Sequence, residues 1–232
     1  MMTPEQNARE VRTAWAMLVL CPLSFMVIAI FPILGIAPGI EAGHDPIYLI
    51  ATCIAWALVS MLLPVLRLAR LVSMPRMFLL AVYGNMYFYV ISLNLGFYLN
   101  LSWWGDMGHV ISSTIVTMIV FIALCVIECS SPKHVTFGRR TGMVAMLVLV
   151  SLSFGGIWEM IEGFVDFAGG GSYMVYSARD TMGDLTADLL GVIIVAVLTY
   201  WYLGKHTPWD IFSSLRFGRD AFEVSGSEDS DV

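Results

Sequence analysis

Seven ionisable side chains lie in or next to three apolar stretches of this 232-residue sequence, at spacings of three or four residues within each group. They are Asp106 and His109 in the first stretch, Glu159 and Glu162 in the second, and Asp180, Asp184 and Asp188 in the third. Residues three or four apart lie on the same face of a helix, so each group forms one stripe. An ionisable side chain inside a membrane costs about 2.5 to 3.5 kcal/mol, which makes those that remain candidates for function.

Carboxylates held together at low dielectric must share protons, pair with a cation or bind a metal ion. An imidazole among several carboxylates suits a divalent ion such as Mg, Mn, Zn or Fe better than a metal that prefers thiolates. We therefore predict a divalent metal ion as the cofactor, with all seven residues as candidate ligands. Glu159, Asp184 and Asp188 are also the candidate catalytic groups. The alternative interpretation is that these acids face headgroup water, with Asp106 and Asp180 serving as helix N-caps.

The composition shows what must position these side chains. Hydrophobic residues make up 58% of the sequence and charged residues 13%, whereas soluble domains carry about 25% charged residues. Six stretches are long and apolar enough to cross roughly 30 Å of hydrocarbon. The predicted spans are residues 14–36, 47–66, 77–101, 109–127, 142–167 and 180–203. The sequence therefore predicts an all-α polytopic membrane protein with six transmembrane helices.

The basic residues predict the orientation of these spans. Eleven of the 12 Lys and Arg residues lie before the first span, after the last, or in alternate loops, and Arg179 is the exception. By the positive-inside rule both termini are cytoplasmic, and the protein is a multi-pass protein of the cell membrane. The seven ionisable residues then share one layer in the outer leaflet, where they form an outward-facing site.

Four further polar residues near this layer are candidates for binding a substrate. They are Asn94, Tyr98, Ser113 and Arg179. Arg179 is the cation in the outer loops that could balance one carboxylate, while the other three could hydrogen-bond a headgroup. Hydrogen bonding between helices is the alternative role for those three side chains.

The chain divides into a membrane domain over residues 1–204 and an acidic cytoplasmic tail over 205–232, which we predict to be disordered. The formal net charge of −6 leaves no basic surface, so we expect no nucleic acid partner. The expected partners are the lipid bilayer and a lipid or envelope-precursor substrate, and protein partners stay open. The sequence lacks the motifs of zinc proteases, serine hydrolases and phosphate-binding loops, so it names no reaction.

Three motifs follow one another over about residues 103–200. They are Asp106-Met-Gly-His109, Trp158-Glu159-Met-Ile-Glu162 and Arg179-Asp180-Thr-Met-Gly-Asp184-Leu-Thr-Ala-Asp188-Leu-Leu-Gly191. This order resembles the YjdF-type bacterial inner-membrane proteins and, more distantly, the VanZ-like proteins. The resemblance implies a multi-helix membrane protein with an acidic outward-facing site, and the VanZ-like part implies a role at the cell envelope.

Three functional hypotheses remain at this point. The first is a metal-dependent site that binds or processes a polar lipid or a cell-envelope precursor. The second is a proton- or cation-coupled transporter that uses the same carboxylates. The third is a membrane protein without enzymatic activity, whose acidic cluster receives a basic segment of a partner.

Overall fold

The computed structural model describes residues 4–73, 76–130, 136–171, 173–175, 177–214 and 216–217. These residues form ten helices and one pair of two-residue strands. The helices are α1 (Pro4–Ile33), α2 (Pro38–Ala42), α3 (Pro46–Ser60), α4 (Leu62–Leu68), α5 (Arg76–Asn94), α6 (Phe97–Asn100), α7 (Trp104–Ser130), α8 (Arg140–Gly169), α9 (Ala178–Tyr202) and α10 (Pro208–Ser214). The strands β1 (Val72–Ser73) and β2 (Arg216–Phe217) pair antiparallel.

Five helical stretches among the described residues are long and apolar enough to cross a membrane. They are Asn7–Ile33, Pro46–Leu68, Trp104–Ser130, Arg140–Gly169 and Ala178–Tyr202. Large apolar side chains such as Phe164 and Trp201 are exposed on these helices, as expected where lipid covers the surface. The all-α membrane class is therefore confirmed. The count of six spans and the cytoplasmic termini stay predictions.

The third predicted span, residues 77–101, differs most from the helix observed there. Helix α5 ends at Asn94, and Gly96 follows with a φ of 74° before the short helix α6. Glycine adopts this left-handed conformation without steric cost, so Gly96 stops the helix inside an apolar run. The next long helix begins at Trp104, five residues before the predicted start at residue 109.

The described chain forms two compact units. The first contains α1, most of α2, α3, α4, α5 and the strand pair. Its buried core includes Phe25, Cys53 and Val90. Arg67 on α4 is also buried, and its guanidinium donates to Glu10 Oε2 at 2.7 Å and to the Asn7 side chain at 2.8 Å. These hydrogen bonds tie α4 to α1.

The second unit contains α6 to α9 and nearly all of α10, and α9 packs closely against α7. At Gly191 of α9, an added Cβ would overlap Ser113 Oγ and would lie 2.7 Å from the Val110 carbonyl oxygen. The Ser113 hydroxyl itself donates to the His109 carbonyl oxygen at 2.7 Å, so it is satisfied within α7. Glycine thus permits the close approach of the two helices.

A short segment between α8 and α9 is held by one carboxylate. Helix α8 ends at Gly169, and Gly170 follows with a φ of 68°. The Asp166 carboxylate then accepts backbone N–H groups from Tyr173 at 2.8 Å, Met174 at 3.0 Å and Val175 at 2.8 Å. This capture fixes the path of the chain toward the start of α9.

The segment predicted to be an acidic tail, 205–232, begins with ordered structure. Helix α10 spans Pro208–Ser214, and the Thr207 backbone N–H donates to Asp210 Oδ2 at 2.7 Å. This hydrogen bond lowers the pKa of Asp210 below its usual value. Residues 218–232 lie outside the described residues, so their disorder stays a prediction.

We expect Gly191→Ala to destabilise the contact between α7 and α9. The added methyl group has no space, and overpacking of this kind costs about 1 to 3 kcal/mol. Gly84→Ala is the control because no atom lies within 4 Å of its added Cβ. It should stabilise the helix by about 0.4 to 1 kcal/mol. Unfolding by denaturing detergent measures both variants, and equal stabilities would contradict the prediction.

Asp166→Ala should release the segment before α9. Three half-buried backbone N–H groups lose their acceptor and are left to water, so the backbone of this segment is held less firmly. Amide hydrogen exchange at Tyr173, Met174 and Val175 should become faster, while exchange in the middle of α8 stays unchanged. Unchanged exchange in the segment would show that the carboxylate does not hold it.

Candidate metal centre

Helices α7, α8 and α9 bring four side chains with metal-binding atoms together. His109 comes from α7, Glu159 and Glu162 from α8, and Asp184 from α9. One ligand atom of each residue lies within 4.8 Å of those of the other three. The three carboxylate residues are buried, and His109 is half-buried.

Helical spacing explains why these side chains meet. Glu159 and Glu162 are three residues apart on one face of α8. On α9 the N-cap is Ser177, whose hydroxyl accepts the Asp180 backbone N–H at 3.1 Å and sets where the helix begins. At 1.5 Å per residue, the four residues lie roughly 8 to 15 Å from the nearer ends of their helices.

The His109 ring lies between two aspartates of α9. Its Nδ1 atom is 3.3 Å from Asp188 Oδ1, and its Nε2 atom is 3.5 Å from Asp184 Oδ1. Asp184 and Asp188 are one helical turn apart, so they reach the two nitrogens from the same helix face. Both edges of the imidazole thus face a carboxylate.

The two glutamates of α8 have different surroundings. The Trp158 indole N–H donates to Glu162 Oε1 at 2.7 Å. Glu159 is only 9% exposed, and both of its carboxylate oxygens are buried without a hydrogen-bond partner among the described residues. A buried carboxylate without a donor is costly, so Glu159 requires a proton, a water molecule or a cation.

The donor set fits a divalent metal ion. Ligand atoms bound at about 2.0 to 2.2 Å lie no more than about 4.4 Å apart. The observed limit of 4.8 Å is therefore closed by small side-chain movements. Three carboxylates and one imidazole are the donors that Mn, Fe and Zn accept. In the described part of the chain, no Lys or Arg forms an ion pair with these carboxylates.

Three of the seven residues predicted as metal ligands do not belong to this group of four. Asp106 is exposed in the first turn of α7. Asp180 is half-buried in the first turn of α9, nearer the helix end than Asp184. Asp188 is buried and contacts His109. The group of four thus leaves out the two residues nearest the helix ends, Asp106 and Asp180, and also Asp188, which lies deeper along α9 than Asp184.

The predicted substrate-binding residues are spread more widely. Arg179 is exposed near the start of α9, and Tyr98 is half-buried on α6. The Ser113 hydroxyl donates to a backbone carbonyl one turn earlier on α7. Asn94 belongs to the first unit, where its side-chain amide donates to the Val90 carbonyl oxygen at 2.9 Å. Their role toward a substrate stays a prediction.

Two residues that support the cluster were not predicted from the sequence. Trp158 holds Glu162 from four residues earlier on the same helix, a spacing that could have indicated the contact. Gly155 leaves space for Asp188, since an added Cβ would lie 2.7 Å from Asp188 Oδ2. That role could not be found without knowing which faces of α8 and α9 meet.

The fold and this cluster define a multi-pass membrane protein with a buried site of histidine and carboxylates. The chain belongs to the family described as "Predicted membrane protein (DUF2238)", whose model matches residues 19–205 and so covers the three helices of the site. The YjdF-type proteins are this family, which confirms that resemblance, whereas the VanZ-like resemblance stays a prediction. No curated protein and no solved structure matches the chain.

Trp158→Phe should destabilise the protein because the buried Glu162 carboxylate loses the indole N–H that donates to it, a loss of about 1 to 3 kcal/mol. Trp103→Phe is the control, since Trp103 is 54% exposed. In a Glu162→Gln background, the cost of Trp158→Phe should change markedly, because the two residues are coupled. Thermal unfolding in detergent of the wild type, the two single variants at Trp158 and Glu162 and the double variant measures the coupling, and strictly additive effects would contradict it.

Proposed function

We propose that this protein binds a divalent metal ion at His109, Glu159, Glu162 and Asp184 and acts on a polar lipid or a cell-envelope precursor. The observation that carries the proposal is Glu159, whose two buried oxygens lack a hydrogen-bond partner among the described residues. The other three residues offer ligand atoms within 4.8 Å. A bound cation would give these oxygens the partner they lack.

Electrostatics supports the same proposal. Three carboxylates repel one another strongly in a buried site, and one imidazole cannot balance them all. A divalent ion compensates two negative charges at the position where the ligand atoms converge. It therefore stabilises the ionised carboxylates where, among the described residues, no Lys or Arg pairs with them.

The depth of the cluster suggests the substrate. The four residues lie one to three turns inside the ends of membrane-spanning helices, near the level where headgroups meet acyl chains. A polar group attached to a lipid reaches this depth while its acyl chains stay in hydrocarbon. We propose a phosphate-bearing lipid, since a divalent ion grips phosphate oxygens and activates water.

Basic residues support an outward-facing site. Arg139, Arg140 and Lys205 lie at the ends of α8 and α9 that are far from the cluster. Among the described Lys and Arg residues of the second unit, only Arg179 lies at the cluster end. The positive-inside rule then assigns the cluster end to the outer side of the cell membrane.

The rest of the three helices argues against proton transport. Residues 110–127, 141–158 and 189–202 contain no Asp, Glu, His, Lys or Arg. A path for protons across the membrane needs ionisable groups or water through this region. The ionisable groups of the site instead lie in one layer, as expected for chemistry at a membrane surface.

We predict that the full-length protein, purified in detergent and stripped with a chelator, binds one Mn²⁺ or Zn²⁺ ion per chain. Glu159→Gln and Asp184→Asn should each lower the affinity by more than about tenfold. Glu128→Gln is the matched control, because it makes the same change of charge on α7 about 28 Å along the helix from His109. Calorimetric titration measures all four proteins.

Absence of binding by the wild-type protein, or equal affinities in all variants, would remove the metal from the proposal. The substrate class is tested separately with phosphatidic acid in detergent micelles. It should raise the midpoint of thermal unfolding of the metal-loaded wild-type protein but not of Glu159→Gln. A rise of equal size in both proteins would contradict the lipid part alone.

A further inference from the structure

We propose that Asp188 is a positioning residue that orients His109, rather than a metal ligand. This inference rests on the proposed metal site. Asp188 Oδ1 lies 3.3 Å from His109 Nδ1, whereas Nε2 faces Asp184, a member of the four-residue group. Asp188 itself is outside that group. The geometry therefore separates the two nitrogens, with Nδ1 toward Asp188 and Nε2 toward the metal ligands.

The chemistry of imidazole explains why this separation matters. A neutral imidazole carries one N–H, and its other nitrogen has the lone pair that binds a metal. If Nδ1–H donates to the Asp188 carboxylate, the lone pair stands on Nε2, on the side of the cluster. A carboxylate in this position also prevents rotation of the ring and makes the metal-binding nitrogen more basic.

The neighbouring helix leaves space for Asp188 at one glycine. An added Cβ on Gly155 would lie 2.7 Å from Asp188 Oδ2 and 3.4 Å from its carboxyl carbon. The next residue, Gly156, has no atom within 4 Å of an added Cβ. Asp188 is 5% exposed, so its carboxylate is confined between α7 and α8. Its position follows from helix packing.

The first experiment determines which His109 nitrogen is protonated and which one binds the metal. In the Zn²⁺-loaded wild-type protein with ¹⁵N-labelled histidine, the chemical shifts of His109 should show a protonated Nδ1 and a metal-bound Nε2. His109→Gln assigns the signals by removing them. A metal-bound Nδ1 would overturn the inference, because that atom would carry no hydrogen to donate to Asp188.

The second experiment compares the metal binding and the His109 signals of Asp188→Asn with those of the wild-type protein. The positioning role predicts that Asp188→Asn still binds one ion per chain, with an affinity about 10- to 100-fold lower than the wild type. The Nδ1–H signal should also shift, which a purely structural defect elsewhere would not cause. Complete loss of the ion from Asp188→Asn, with the fold intact by circular dichroism, would show that Asp188 is a ligand and would overturn the inference.

The third experiment uses the adjacent glycines as a matched pair. Gly155→Ala should displace the Asp188 carboxylate and lower the metal affinity several-fold, whereas Gly156→Ala should bind like the wild type. Both substitutions add the same methyl group to the same helix. Equal affinities in the two variants would contradict confinement of Asp188 by α8.

Failure of the proposed function would give a different result from failure of this inference. If the wild-type protein binds neither Mn²⁺ nor Zn²⁺, the metal site is wrong, and the inference that rests on it is overturned as well. If the wild-type protein binds the ion and Asp188→Asn and Gly155→Ala bind it as tightly as the wild type, the metal site stands and only the positioning role is wrong.

Discussion

Mutual repulsion among buried carboxylates is the constraint on which the rest of the second unit depends. Glu159, Glu162 and Asp184 approach within 4.8 Å of one another and of His109, inside helices that are apolar over most of their length. Hydrocarbon offers no water to solvate these charges, so the site must supply its own compensation. The indole N–H of Trp158 provides part of it, and the open lone pairs of Glu159 mark where compensation is still required. A divalent ion at the proposed site would satisfy this requirement, because the carboxylates and the imidazole already converge.

Close helix packing makes the cluster possible, because short carboxylate side chains reach one another only when the helices that carry them are close. Gly191 permits α9 to approach α7 at the Ser113 level, two turns or fewer from both His109 and Asp188. Gly155 does the same between α8 and the Asp188 carboxylate. In membranes, where apolar surfaces gain little from leaving lipid, small residues and polar contacts are the main means of bringing helices together. The same glycines thus serve the fold and the site.

The sequence predicts the membrane class and the three stripes of ionisable residues, because both depend on local composition and helical spacing. It does not predict which members of a stripe meet those of another, since this depends on how each helix is rotated about its axis. Asp184 and Asp188 lie on one face of α9 and look equivalent in sequence, yet they approach opposite nitrogens of His109. The sequence also does not predict that α5 ends at Asn94. The apolar run continues beyond Gly96, so composition alone extends the span. The family match covers the site but adds no chemistry to it.

The start of α9 determines the register of the site. A shift of one residue along a helix moves a side chain by 1.5 Å and rotates it by about 100°, which is enough to point Asp184 away from Glu159. The Ser177 N-cap fixes this start, and the Asp166 carboxylate holds the chain that leads to it through three backbone N–H groups. Asp166 lies one turn beyond Glu162 on α8. Helix α8 therefore carries both glutamates of the cluster and the carboxylate that holds the segment before α9, which couples the geometry of the cluster to the order of that segment.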